Sequence, residues 1–312
     1  MRQLGTSDLR VHPLCLGGNV FGWTVGEQQS FAVLDAYAAA GGNFLDTADS
    51  YSVWVDGNHG GESETIIGRW MAARGNRDDI VVATKVGQNP GLEGLSPATV
   101  RRAAEASLAR LGTDRIDLYW AHVDDEATPL EDTLAAFGEL IAEGKVRFIG
   151  ASNHTAPRLA EALATARRNA LPTYVAVQPH YNLMHRRVYE GELAELCVRE
   201  HLSCVPYYGL ASGFLTGKYR PRGPQVASPR AGSASAYLDD RGIAVLAVLD
   251  ELAAAHGTSV AAVALAWLAA QPGVAAPIAS ARTPAQVADL LPLAALELGG
   301  HELRRLSDAS AG

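Results

Sequence analysis

The stretch that decides the fold lies at residues 43–51 and reads Asn43-Phe44-Leu45-Asp46-Thr47-Ala48-Asp49-Ser50-Tyr51. It starts as a short apolar run and ends in polar side chains, which is typical of a buried parallel strand followed by a loop at its carboxyl end. Two later runs have the same form and end at Lys85 and His122. If these runs are successive parallel strands, Asp46, Tyr51, Lys85 and His122 meet at one end of one sheet.

Similar runs recur along the whole chain. They occupy residues 14–18, 43–48, 80–85, 116–122, 147–152, 174–179, 203–208 and 274–280. Helical spacing of apolar residues lies between nearly all of them, so strand and helix alternate about eight times. Right-handed crossovers would close such a sheet into a (β/α)8 TIM barrel of the α/β class. We expect residues 1–312 to form one barrel domain, with an N-terminal β-hairpin closing the barrel bottom.

The alternative architecture is an open doubly wound sheet. It is disfavoured because no Gly-x-Gly-x-x-Gly follows the first strand. Residues 17–22, Gly-Gly-Asn-Val-Phe-Gly, come closest but do not open a convincing phosphate-binding helix.

Three helices carry clear boundary signals. Ser96-Pro97 offers an N-cap and a first-turn proline, and Gly112 ends the apolar periodicity that follows. Thr128-Pro129-Leu130-Glu131 reads as a capping box. A third helix is predicted over residues 243–255, with Gly257 after it.

Two segments interrupt the alternation. Residues 53–64 form a Gly-rich stretch after Tyr51, and residues 220–240 are rich in Pro, Ser, Arg and Gly without helical periodicity. Long loops inside a compact domain are commonly lids or binding loops. We expect both at the C-terminal face, where barrel active sites lie.

The composition of the chain limits the kinds of partner that it is expected to bind. The net charge of −8 and pI of about 5.6 argue against nucleic acid or an anionic membrane. The N-terminus lacks a signal peptide's apolar core, and no run is long enough to span a bilayer. Cys15, Cys197 and Cys204 are widely spaced and form neither a metal pattern nor an obvious disulfide set. We expect reduced thiols, a cytoplasmic location and no bound metal; the oligomeric state is open.

The four strand-end residues suit proton transfer. Tyr51 is a weak acid because its reference pKa is about 10, and a neighbouring Lys85 ammonium would lower that pKa. Asp46 would hold Lys85 by a salt bridge, and His122 could donate to a substrate oxygen. Such a site protonates an oxygen that becomes negative as hydride reaches its carbon. The predicted chemistry is therefore carbonyl reduction with a hydride donor.

Ordered motifs over nearly the whole chain resemble the aldo-keto reductases, including members similar to potassium-channel beta subunits. The residues that carry the resemblance are Leu14 to Gly18, Asp46 to Tyr51, Gly60 to Glu64, Thr84-Lys85, Asp117 to His122, Ile149 to Asn153, Gln178 to Asn182, Pro206 to Leu210 and Gly213 to Tyr219.

The resemblance implies a catalytic tetrad of Asp46, Tyr51, Lys85 and His122 and a nicotinamide cofactor. Ser152, Asn153 and Gln178 would bind the carboxamide, and Tyr207 would stack on the ring. The loop of residues 211–218 would cover the pyrophosphate, with Lys218 neutralising charge. The full implied set of cofactor contacts is Gly18, Asn19, Ser152, Asn153, Gln178, Tyr207, Leu210, Ala211, Gly213, Leu215, Lys218, Ser280, Arg282 and Gln286.

Arg282 decides which cofactor is expected. In the family this corner binds the adenosine 2′-phosphate, and a guanidinium can bind phosphate in a bidentate manner. NADPH/NADP+ is therefore expected rather than NADH. Four positions depart from the family pattern at this end, namely Tyr208, Gly209, Ser280 and Leu290.

The substrate is expected to be a small-molecule aldehyde or ketone, including sugar-like ones. Phe21, Trp23 and Trp54 are predicted to wall its pocket, together with the region around His122 and residues 220–240. Two other functions compete with reduction. One is a nucleotide-binding regulatory module with little or no turnover, and the other is an unrelated barrel enzyme with Lys85 as a Schiff-base nucleophile.

Overall fold

The strands are short and follow the apolar runs. The computed structural model describes residues 1–221, 223 and 227–311. Its strands, numbered β1 to β12 in chain order, are Arg2–Gln3, Arg10–Val11, Cys15–Gly17, Phe44–Asp46, Val81–Val86, Gln88–Asn89, Leu92–Glu93, Ile116–Ala121, Val146–Ser152, Ala176–Gln178, Ser203–Cys204 and Ile278–Ala279. Each of the eight predicted runs overlaps one of these strands.

Helices lie between the strands. Numbered α1 to α11, they are Glu27–Ala39, Glu62–Arg74, Pro97–Leu111, Leu130–Ala142, Ala156–Arg168, Glu192–Arg199, Ala231–Ser235, Asp240–His256, Val260–Ala269, Pro284–Leu290 and Gly300–Ala309. Short 3-10 segments occur at Arg77–Asp79, Ala211–Thr216 and Leu291–Ala294.

Eight strands form one parallel sheet in the order β11-β10-β9-β8-β5-β4-β3-β12. The sheet closes on itself, because the N–H groups of Ala275 and Ile278 donate to the carbonyls of Cys204 and Pro206 at 2.8 and 2.9 Å. The predicted (β/α)8 barrel is therefore confirmed over the open doubly wound sheet.

The barrel interior is filled by alternate residues of the strands. Phe44, Val81, Ala83, Leu118 and Trp120 belong to one buried apolar cluster inside the sheet, whereas the larger cluster lies between sheet and helices. Gly150 faces the same interior, where an added Cβ would lie 2.3 Å from the Trp120 ring. The inner face therefore carries residues at every second position of each strand.

The antiparallel pair β1 and β2 closes the lower end, as predicted. Its Leu4, Leu9 and Val11 are fully buried in the interior cluster. Polar chemistry is thereby left to the opposite, C-terminal end of the strands.

Helix boundaries agree with the sequence at two of the three predicted places. The Ser96 side chain caps α3 and Gly112 ends it in a left-handed conformation. Helix α8 likewise ends at Gly257. The predicted capping box at Thr128 is wrong, because α4 begins after Pro129 and the Thr128 hydroxyl donates instead to Asp125, 2.7 Å away.

The two interrupting segments contain more helix than predicted. Helix α2 begins inside residues 53–64, and α7 lies inside residues 220–240. Residues 222 and 224–226 of the second segment lie outside the described residues.

Within the described residues, no single helix is long and apolar enough to cross a bilayer. Helices α8 and α9 pass that test only as a pair, by length and composition, and they are bent by 99°.

Candidate active site

Alternate residues of each strand face the barrel interior, and this alternation brings the predicted polar residues together. Asp46 continues the inward positions of β4, and Lys85 continues those of β5. The chain pairs Lys85 with Trp120 across β5 and β8, and pairs Gln178 with Ser152 across β10 and β9. These side chains therefore emerge above the apolar interior at the carboxyl ends of the strands.

Lys85 is the centre of the site. Its fully buried ammonium donates to Asp46 Oδ2 at 2.5 Å, to the Thr47 carbonyl at 2.7 Å and to the Tyr51 hydroxyl at 2.9 Å. Burial lowers the pKa of Lys85, but Asp46 and Tyr51 outweigh this effect and raise it overall. The ammonium is therefore charged and satisfied in all three donors. A Schiff-base role, which needs a neutral amine, is disfavoured.

The pKa of the Tyr51 hydroxyl is shifted in the opposite direction to the one expected. Lys85 does lower the pKa of Tyr51, but burial is the larger effect and raises that pKa to about 12. Asp46 adds to the rise, since its carboxylate lies 3.4 Å from the hydroxyl. The predicted net lowering is therefore wrong for the protein alone, and Tyr51 holds its proton at neutral pH.

His122 lies beside Tyr51 at the end of β8. The two rings meet edge to face with centroids 6.3 Å apart. Burial, and then the Lys85 charge, hold the pKa of His122 well below its ordinary value. Its Nδ1 is buried without a partner among the described residues. The imidazole is therefore neutral, and one ring nitrogen can donate to an oxygen placed near Tyr51.

Two further buried acidic residues, Glu64 and Asp49, lie behind the tetrad, and no sequence motif predicts a role for them. Glu64 accepts from Thr84 at 2.5 Å and from Arg110 at 2.6 Å. Asp49 is fully buried, and neither carboxyl oxygen has a partner among the described residues. Burial and then the neighbouring Glu64 raise the pKa of Asp49 to about 8. Its only signal in the sequence is its place within the stretch 43–51.

A cavity of about 590 Å³ opens above Tyr51 and His122. This volume is within the range of small-molecule and cofactor sites. The predicted site residues that line it are Asn19, Tyr51, Trp54, His122, Ser152, Asn153, Gln178, Tyr207, Leu210, Gly213, Lys218, Ser280, Arg282 and Gln286.

The remaining predicted residues do not line the cavity. Asp46 and Lys85 lie buried behind Tyr51. Ala211, Leu215 and Phe21 belong to the apolar core between sheet and helices. Gly18 packs against Ser63, whose hydroxyl donates to its carbonyl. Trp23 packs edge to face against Trp54, with ring centroids 5.6 Å apart.

The three polar residues of the predicted carboxamide site form one connected network. The Gln178 amide donates to Asp46 Oδ1 at 2.8 Å, and the Ser152 hydroxyl donates to the Gln178 carbonyl at 3.0 Å. Asn153 donates to the carbonyl of His122 and accepts from the Tyr207 hydroxyl, both at 2.9 Å. The cavity floor is thereby tied directly to the tetrad.

Positive charge gathers on one part of the cavity wall. Lys218, Arg230 and Arg282 line it, and none has a carboxylate within salt-bridge distance in the part of the chain that the structure describes. Burial lowers the pKa of Lys218, and the charges of Arg282 and Arg230 lower it further. Three clustered, unpaired cations favour a polyanionic ligand. We call Lys218, Arg230 and Arg282 the cation rim.

Backbone strain accompanies the cation rim. Ala211, Ser212 and Gly213 have φ values of 46°, 58° and 94°, so three successive residues are left-handed. Only one of them is a glycine, and strained backbone of this kind clusters at ligand sites.

The matches to known proteins fit this geometry. Residues 13–311 match the model of the "Aldo/keto reductase family". The chain belongs to the aldo/keto reductase family. It is 35% identical to an uncharacterized oxidoreductase, YrpG, of Bacillus subtilis, over 99% of this chain and 95% of that protein.

Two further relatives have names that indicate different functions. Norsolorinic acid reductase stcV of Emericella nidulans is 32% identical over 96% of this chain and 78% of that protein. A probable voltage-gated potassium channel subunit beta of Oryza sativa is 34% identical over 92% of this chain and 89% of that protein.

The departures from the family pattern all lie on the cavity wall. Tyr208, Gly209, Ser280 and Leu290 line it. At Gly209 an added Cβ would lie 3.0 Å from the Leu265 side chain and 3.1 Å from the Ile278 carbonyl, so the position has little room for a larger residue. Ser280 donates to Asn19 at 2.6 Å.

Arg230 lies in segment 220–240, which was predicted to wall the pocket, but its place in the cation rim was not predicted. Its guanidinium lies 5.2 Å from the Trp23 ring centroid and lines the cavity with the other two cations. Its only sequence signal was membership of the Arg-rich segment 220–240. No spacing rule connects that segment with Lys218 or Arg282, because only the barrel brings them together.

The described residues hold no group of three or more His, Cys, Asp or Glu that could bind a metal ion.

Proposed function

We propose that this protein reduces an aldehyde or ketone to the alcohol with NADPH. The observation that carries the proposal is the hydrogen bond of 2.9 Å from the buried Lys85 ammonium to Tyr51, at the floor of the cavity beside the neutral His122. Family membership supports the coarser statement, an oxidoreductase that uses a nicotinamide cofactor.

Each tetrad residue has a distinct proposed role. Tyr51 gives its proton to the carbonyl oxygen as that oxygen becomes negative. Lys85 stabilises the tyrosinate that remains, and Asp46 keeps Lys85 charged and oriented. His122 donates a hydrogen bond that fixes the carbonyl oxygen near Tyr51. The high pKa of Tyr51 suits an acid that must stay protonated until an oxyanion forms next to it.

The cavity fits NADPH in volume and in charge. A nicotinamide at the tetrad end would supply the hydride. Ser152, Asn153 and Gln178 are proposed to hold its carboxamide, and the left-handed turn with the cation rim is proposed to hold the phosphates. Arg282 is proposed to bind the 2′-phosphate, which favours NADPH over NADH. Three buried free thiols support a cytoplasmic, reducing setting.

The substrate end of the cavity is aromatic. Trp54 packs edge to face on Tyr51 with centroids 6.2 Å apart, and the half-exposed Tyr208 lines the same cavity. Aromatic rings in the cavity wall suit a carbonyl attached to a ring or a sugar-like ring. The name of the Emericella relative, a norsolorinic acid reductase, supports a ring-bearing carbonyl.

A nucleotide-binding regulatory module is the second candidate. The observation that favours it is the relative from Oryza sativa named as a probable potassium channel subunit beta. In that case the cavity binds NADPH, but turnover is slow or absent. The paired tetrad favours the enzyme, since a regulatory module does not need a proton donor.

The first experiment titrates the purified protein with NADPH and with NADH, following tryptophan fluorescence. Trp54 lines the cavity and reports occupancy. A panel of aromatic, aliphatic and sugar aldehydes and ketones then measures NADPH oxidation with product analysis. We expect strong quenching by NADPH, weak quenching by NADH, and one alcohol formed per NADPH consumed.

The outcomes separate the candidates. Tight NADPH binding without turnover on the whole panel supports the regulatory module. Absence of quenching by either nucleotide would overturn both candidates.

A further inference from the structure

His180 and Tyr207 lie side by side because their backbones pair. Both residues follow barrel strands, β10 and β11, and they form an isolated parallel bridge. The Tyr207 N–H donates to the Pro179 carbonyl at 3.0 Å. The pairing sets the two side chains next to each other above the barrel.

The rings of His185, His180 and Tyr207 form a stack. His180 and His185 lie with centroids 3.8 Å apart and an angle of 11° between their planes. His180 and Tyr207 follow at 5.3 Å and 21°. A tight turn in which Asn182 and His185 exchange backbone hydrogen bonds of 3.0 and 3.2 Å presents His185 to the stack. We call these three rings the ring stack.

Tyr207 is fixed at its edge as well as on one face. Its hydroxyl donates to Asn153 Oδ1 at 2.9 Å, while His180 covers the ring from behind. Tyr207 also lines the cavity above the tetrad. Its ring plane is therefore set by protein contacts before any ligand enters.

The two imidazoles of the ring stack cannot both be charged, since two cations at such a separation would repel. Burial, and then the neighbouring His185, lower the pKa of His180 to about 4. Burial, and then Arg241, lower the pKa of His185. The flat faces are therefore available for stacking under ordinary conditions.

We propose that His180 is a positioning residue, which holds the Tyr207 ring in the plane on which the nicotinamide stacks. The proposal rests on the proposed function, in which Tyr207 carries the cofactor ring. His180 acts only through Tyr207 and does not touch the reacting atoms. His185 supports His180 from the far side.

A double-mutant cycle tests this role. His180→Leu removes the flat ring but keeps an apolar side chain of similar size, and Tyr207→Leu removes the platform itself. We expect each change to weaken NADPH binding about five- to tenfold, the usual worth of one aromatic pair. The double variant should bind no more weakly than Tyr207→Leu alone, because His180 has nothing left to position.

A rescue variant and a stereochemical readout exclude a merely structural effect. His180→Phe keeps a flat ring and should restore most of the affinity. The second readout uses NADPH that is deuterated on one face of the nicotinamide. With His180→Leu, hydride should be transferred from both faces, so that the alcohol contains a mixture of deuterium and hydrogen. With His180→Phe, transfer should stay on one face. His301→Leu, at an exposed histidine on α11, is the matched control and should bind like the unaltered protein.

The results distinguish the two levels of proposal. If the unaltered protein neither binds NADPH nor reduces a carbonyl, the proposed function is wrong, and the role of His180 is then wrong as well. If the unaltered protein does bind, additive losses in the double variant, or no rescue by His180→Phe, would overturn the role of His180 alone.

Discussion

The tetrad and the cation rim both border one cavity and differ in how their charges are satisfied. At the tetrad, Lys85 is fully buried and makes three hydrogen bonds within the protein. At the rim, Lys218, Arg230 and Arg282 lack carboxylate partners within the described ranges. The tetrad is therefore organised by the chain itself, whereas the rim is organised for a charged ligand.

This difference has an energetic reason. A buried charge is tolerable only when it is paired, so the tetrad must be complete in the folded protein. Partly exposed cations can be solvated until an anion arrives, so the rim can stay unpaired. Substitutions at the tetrad should therefore damage chemistry or folding, and substitutions at the rim should change ligand affinity. Four predictions test this contrast.

The largest expected effect is on turnover in Tyr51→Phe. The change removes the proton donor but keeps the ring, so kcat should fall by about a thousandfold. The dissociation constant of NADPH should stay within about twofold, because the hydroxyl serves the substrate. Stopped-flow turnover and fluorescence titration measure the two quantities. Tyr119→Phe removes a buried hydroxyl without a partner among the described residues and should leave kcat nearly unchanged. Retained turnover in Tyr51→Phe would reject Tyr51 as the acid.

Lys85→Met should break the buried pair with Asp46. Leaving one buried charge unpaired destabilises a protein by about 3–5 kcal/mol, and the proton site is lost as well. Urea unfolding measures the free energy of unfolding, and Lys145→Met is the matched control. Lys145 pairs with Glu105 and Glu143 at the surface, where pairs contribute little. Equal losses in the two variants would contradict the contrast between buried and exposed pairs.

Asp49→Asn sharpens the comparison, because Asp49 is buried like the tetrad and unpaired like the rim. Its raised pKa of about 8 means that the folded protein keeps a proton that the unfolded chain releases near pH 4. Stability at this site is therefore lost as pH rises from about 4 to about 8. Asn mimics the protonated form and should remove that loss.

The measured quantity is the difference in unfolding free energy between Asp49→Asn and the unaltered protein. Between pH 5 and pH 7 it should grow by about 2–3 kcal/mol in favour of the variant. A difference that does not change with pH would show that Asp49 is ionised in the folded protein.

The smallest expected effect is on cofactor choice in Arg282→Ala. Loss of one charge-assisted contact should weaken NADPH binding about ten- to a hundredfold and leave NADH binding nearly unchanged. Added salt should narrow the gap between the two nucleotides in the unaltered protein, because the rim is partly exposed to solvent. Fluorescence titration checks both. Equal weakening of both nucleotides would remove Arg282 from the 2′-phosphate.

Much of the fold could be predicted from the sequence because the strands are continuous apolar runs with polar residues at their carboxyl ends. That pattern alone predicts that Asp46, Lys85 and His122 lie at one end of the sheet. The capping box predicted at Thr128 does not form, because the Thr128 hydroxyl hydrogen-bonds to the nearby Asp125 instead. The acidity of Tyr51 was also mispredicted, because proximity of Lys85 is visible in the strand order but the depth of burial is not.

The sequence by itself determined the barrel, the strand-end placement of the tetrad and the family, because hydrophobic periodicity and ordered motifs are local properties. Only the tertiary structure decided which charges are paired, which way the pKa of Tyr51 shifts, that Arg230 joins Lys218 and Arg282, and that His180 backs Tyr207. Those features depend on distances between residues far apart in the chain and on how much water the folded protein removes from each group.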